Sequence, residues 1–131
     1  MSNFYFENKK RREKDAKVAE WMGWIGVGVR RRVVSGSTAD EERWEGLRSN
    51  TADALTEIPF YTMNWQAVHQ MEAEIQKQDL LFDYSNQLSF FVTDAEFRLK
   101  YQANGIIGAC LLATPEQRVD ALLCILEKNN D

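Results

Sequence analysis

The sequence predicts an α+β fold, an α/β/α sandwich with a mostly antiparallel sheet of about four strands and three main helices. Three observations lead there. The stretch Ala113–Lys128 carries every mark of an amphipathic helix, Trp24–Val34 alternates like a strand, and residues 80–104 alternate again between turn signals. At 131 residues the chain has the length of one domain, long enough to bury a core without disulfides or metals.

The closing helix is the clearest element. Thr114 and Gln117 have capping-box spacing, and Pro115 falls at the first helical position, where a missing N–H costs nothing. Glu116 and Lys128 suit the two ends of the helix dipole. Val119, Leu122, Leu123 and Leu126 recur at i, i+3, i+4 and i+7, an apolar stripe widened by Cys124 and Ile125.

From the beginning, residues 1–6 read as an aromatic arm, because Phe4, Tyr5 and Phe6 are costly to leave in water. Residues 7–22 read as a helix that Gly23 ends, opened by the basic run Lys9, Lys10, Arg11, Arg12 and Lys14. Trp24–Val34 is the predicted strand, with Gly26 and Gly28 on the face opposite Ile25, Val27 and Val29. Its Gly-Val-Gly lacks the third glycine and following helix of a dinucleotide fingerprint. Residues 35–58 read as a long polar insertion or lid, with a short helix over 39–48 capped by Thr38.

Thr62 is the expected cap of a helix running to Gln78, with Trp65, Val68, Met71 and Ile75 as its core stripe. His69, the single histidine, sits at the edge of that stripe without the partners a zinc site needs. Residues 80–104 read as a β meander. It turns at Asp83–Gln87 and near Thr93-Asp94, with Leu88, Phe90 and Val92, then Phe97, Leu99 and Tyr101, alternating.

Composition narrows the function. A formal net charge of −4 argues against general binding to nucleic acid or membrane surfaces. No apolar run approaches the roughly 20 residues of a membrane span. The opening Met1-Ser-Asn-Phe-Tyr-Phe lacks a basic-then-apolar signal pattern, so the expectation is a soluble cytoplasmic protein. Cys110 and Cys124, in apolar surroundings, read as two buried free thiols rather than a disulfide.

Three patches resemble the phage ABA sandwich domain family, and they occur in the family's order. Asp15-Ala-Lys-Val-Ala-Glu-Trp-Met-Gly-Trp24 is similar to its opening helix, which ends in Met-Gly-Trp. Ile58-Pro-Phe-Tyr-Thr-Met-Asn-Trp-Gln-Ala67 resembles the Pro-x-Tyr-Ser/Thr start of a later helix. Ala113-Thr-Pro-Glu-Gln-Arg-Val-Asp-Ala-Leu-Leu123 resembles its closing helix. Arg30–Val34 and residues 35–58 depart from the pattern. The resemblance implies an α/β/α sandwich and the setting of a small phage accessory gene. Products of such genes often block host defence, by gripping a host protein or by sequestering a nucleotide signal. It brings no catalytic residues and no cofactor.

The leading expectation is therefore a non-enzymatic binder of a nucleotide-derived immune signal, active in the host cytoplasm. Arg30, Arg31 and Arg32 beside the glycine-bearing strand are the candidates for phosphates, and Tyr61 and Trp65, with Trp44 in reserve, for stacking a base. The alternative is a protein–protein inhibitor or adaptor that grips a host defence protein through its aromatic-rich surface, since Trp, Tyr and Arg dominate interface hot spots. The aromatic arm and four tryptophans suggest a homo-oligomer. An enzyme is disfavoured: a nucleophile needs a base within reach, and Glu72 and Glu74, two apart, cannot share a helix face. No metal site and no cofactor are expected.

Overall fold

The computed structural model describes residues 2–33, 40–50, 54–92 and 113–129. The chain divides into two compact units, residues 1–60 and 61–131.

The first unit starts with α1, Ser2–Trp21. The helix extends back over residues 2–6, the segment read from the sequence as an aromatic arm. It ends where glycine dictates. Gly23 has φ +104°, its N–H donates to the Glu20 carbonyl at 3.1 Å, and the Trp24 N–H reaches the Ala19 carbonyl at 2.9 Å. These two bonds make a Schellman motif, which needs a left-handed residue at that point.

β1, Ile25–Val33, follows as the β-branched alternation predicted. It pairs antiparallel with β2, Asp40–Leu47, which pairs antiparallel with the short β3, Thr56–Glu57. The register sets Arg31 opposite Glu42, Arg32 opposite Glu41 and Val33 opposite Asp40. The helix expected over 39–48 is thus a strand. Glu42 near its start stands across from Arg31, a neighbour that helical spacing could not supply. A bulge between Ile25 and Gly28 breaks the simple alternation, so the glycines do not form the uniform bare face expected of them. Among the unit's described residues, Ala16, Val18, Ala19 and Ile58 are the buried apolar side chains.

In the second unit, α2 spans Trp65–Lys77, and Asn64 caps it rather than Thr62: its side-chain oxygen accepts the Ala67 N–H at 2.9 Å. Val68, Met71 and Ile75 form the buried stripe as predicted, but Trp65 stays 48% exposed. The helix closes with a second Schellman pattern. Asp79 occupies the left-handed position at φ 61°, its N–H on the Gln76 carbonyl and the Leu80 N–H on the Ile75 carbonyl.

That turn leads straight into α3, Leu81–Val92. The predicted first strand of the meander is therefore a helix. Tyr84 and Leu88, one turn apart, are buried on one face, while Phe90, which alternation would have placed with Leu88, is 56% exposed. The rest of the predicted meander, and Cys110, lie outside the described residues. The described sheet has three strands, not about four.

α4, Pro115–Asn129, carries the predicted capping box in full. The Gln117 N–H donates to Thr114 Oγ1 at 3.2 Å, and the Thr114 N–H donates to Gln117 Oε1 at 2.9 Å. Its buried face runs through Val119, Ala121, Leu122 and Ile125, rotated from the predicted stripe, and Leu123, Cys124 and Leu126 are only half-buried. α3 and α4 pack along each other, and α2 touches both. Among the described residues, no helix is long and apolar enough to cross a membrane.

Candidate functional site

The predicted ligand residues fall into both units: Arg30, Arg31 and Arg32 on β1 in the first, Tyr61 and Trp65 in the second.

On β1 the three arginines have different employment. Arg30 is turned onto backbone. Its Nη1 donates to the Glu45 carbonyl at 3.1 Å and its Nη2 to the Gly26 carbonyl at 3.0 Å, so the guanidinium ties β2 to the bulged start of its own strand. Arg31 points to solvent, its side chain 72% exposed and its Nε 3.8 Å from Glu42 Oε1. That distance is beyond a hydrogen bond, and the pair is screened, so Arg31 keeps its capacity for another anion. Arg32 is placed by its backbone opposite Glu41.

The basic run of α1 is also divided. Lys9 and Lys10 are exposed, but Arg12 is buried and internally consumed. Its Nη1 donates to Asp15 Oδ2 at 2.7 Å, its Nη2 to the Ile58 carbonyl at 3.0 Å, and its guanidinium lies 3.8 Å from the centre of the Phe60 ring. A cation so enclosed fixes residues 58–60 against α1 and has no role as a ligand group.

The second unit holds the most organised polar cluster. Glu72 on α2 accepts, at Oε2, the Tyr84 hydroxyl at 2.6 Å and Arg118 Nη1 at 2.8 Å. Arg118 Nε donates to the Ala113 carbonyl at 3.2 Å. Its guanidinium carbon lies 5.1 Å from the centre of the Trp65 ring, and His69, one turn along α2, has its ring centre 5.8 Å from that of Trp65. Three helices thus converge on one carboxylate. The sequence marks Trp65 as a site candidate but gives His69 no ligand role and does not single out Glu72, Tyr84 and Arg118 as a cluster. They are 46 residues apart at the extremes, and only packing unites them.

The cluster presents an aromatic surface with a cation held behind it. Trp65 is half open to solvent, and His69 beside it is exposed. Tyr61, by contrast, is 1% exposed and offers no face for stacking a ligand. Trp44 is half-buried on β2. Comparison with protein-family models, with curated proteins and with solved structures finds no match to this chain.

Proposed function

We propose that the chain is a non-enzymatic binding protein that counteracts host antiviral defence by sequestering a nucleotide-derived signal. The observation that carries this reading is the half-exposed indole of Trp65, held by the anchored Arg118 and flanked by His69. An indole kept in water at a fixed orientation is costly unless something covers it, and a planar base covers it well. His69 is the polar group beside the indole for a phosphate oxygen. Arg118 acts as a support, since Glu72 already meets its charge. The phage setting comes from the resemblance to the ABA sandwich domain family. With it come the α/β/α layering and the host cytoplasm as the place of action, and the four tryptophans favour a homo-oligomeric state.

The test is a thermal-shift screen against cyclic di- and trinucleotides and ADP-ribose derivatives. A ligand at ~100 times its Kd adds about 2.7 kcal/mol, a shift of several degrees at this size. One ligand should raise Tm and be recovered intact, and Trp65→Ala should remove the shift. A flat screen refutes the nucleotide reading.

A second reading, an inhibitor or adaptor for a host defence protein, is favoured by α3. Leu81, Phe82 and Phe90 are 46%, 82% and 56% exposed. Large apolar side chains left open in this way mark protein contacts more often than ornaments. A defence protein captured by the chain and lost with Phe82→Ser supports it.

A further inference from the structure

We propose that the open edge of β1 receives an extended acidic polypeptide segment as an additional antiparallel strand. Among the described residues β1 has a strand neighbour on one side only, because the sheet order is β1-β2-β3. Past the bulge, alternate residues of β1 therefore direct their backbone donors and acceptors to the side away from β2. The strand is also open to solvent at its side chains. Ile25 and Val29 are exposed, Arg31 more so, and a Cβ built on Gly28 meets nothing within 4 Å.

Charge chooses the occupant. The neighbour that β1 already has is acidic at the matching positions: Glu42, Glu41 and Asp40 stand opposite Arg31, Arg32 and Val33. β2 is thus a template, within the same sheet, for the kind of strand β1 accepts. The opposing charges at Arg31 and Glu42 are 3.8 Å apart and solvated, so the guanidinium keeps attraction for a carboxylate arriving from the other side. A second copy of β1, paired antiparallel over its full length, would set Arg30, Arg31 and Arg32 opposite Gly28, Val27 and Gly26 and bring no carboxylate to Arg31. An acidic strand does bring one, and is therefore favoured over self-pairing. Backbone hydrogen bonds would supply affinity, and the acidic residues would supply register. The segment would carry two or three successive acidic residues toward its N-terminal end, opposite Arg31–Val33. An apolar or β-branched residue would follow, opposite Val29.

The probe is a blocked synthetic peptide with the sequence Asp40–Leu47, titrated into the intact chain by fluorescence anisotropy. Saturable binding that weakens as salt rises is expected. Arg31→Glu in the protein, or Lys in place of the first three of the peptide's four acidic residues, should each weaken it at least ~10-fold. N-methylation of alternate peptide amides, which leaves the charges and the protein untouched, should abolish it. Absence of binding overturns the proposal. So does binding that survives N-methylation or yields equally to inorganic tripolyphosphate, since either would make the edge a charge patch. Self-association of the chain that the peptide merely dissolves would make the occupant a second copy, and would overturn it as well.

Discussion

Arg118 on α4 donates to Glu72 on α2 at 2.8 Å, and the same carboxylate oxygen receives the Tyr84 hydroxyl of α3 at 2.6 Å. One acceptor atom thus binds the three described helices of the second unit and holds the guanidinium beside Trp65. The arginine side chain is 11% exposed and the glutamate 20%, so removing either partner leaves a largely desolvated charge behind. Glu72→Ala should cost about 2–3 kcal/mol by denaturant unfolding, and Tyr84→Phe about 1 kcal/mol. In a double-mutant cycle the two should be non-additive, because the phenol loses its partner in the first variant.

Arg12 and Asp15 in α1 make the comparable pair in the first unit, with Arg12 enclosed by Phe60 and two carbonyls. Asp15→Ala strands a buried cation and should destabilise by about 3–5 kcal/mol. Asp15→Asn keeps an acceptor and should cost distinctly less. Thermal unfolding of the two variants measures the difference.

Glycines of the sheet should answer unequally to alanine. A Cβ at Gly46 would lie 3.0 Å from Val27 Cγ2 and 3.3 Å from the Ile25 carbonyl oxygen, whereas at Gly28 it meets open space. Gly46→Ala should destabilise by about 1–3 kcal/mol through overpacking. Gly28→Ala should be neutral or stabilise by up to about 1 kcal/mol, since alanine costs the strand less entropy. Denaturant midpoints with an unchanged slope would confirm that the native state alone was altered.

Asp79 holds a left-handed backbone at the end of α2, a position glycine occupies without steric cost. Asp79→Gly should therefore stabilise by about 0.5–1 kcal/mol, and Asp79→Val should destabilise by more than that. At the opposite kind of boundary, Thr114→Ala removes half of the α4 capping box and should cost about 1 kcal/mol.

Some of the fold is written locally. The Schellman end of α1 follows from one glycine, the box at α4 from Thr114, Pro115 and Gln117, and the strand character of β1 from its β-branched residues. Each needs only neighbours along the chain, so the sequence by itself determined them. Residues 40–47 and 81–92 went the other way. Asp40–Leu47 has helical spacing and Leu88–Val92 has strand spacing, yet each is decided by what it meets: a basic strand in register for β2, and a packed helix for α3. The candidate site follows the same rule. Trp65 could be singled out as an aromatic but not as a half-exposed one, and Arg30 could be singled out as a cation but not as one spent on two carbonyls. Tertiary structure decided those points, because burial and the choice of hydrogen-bond partner depend on residues far away in sequence, whose approach no local pattern encodes.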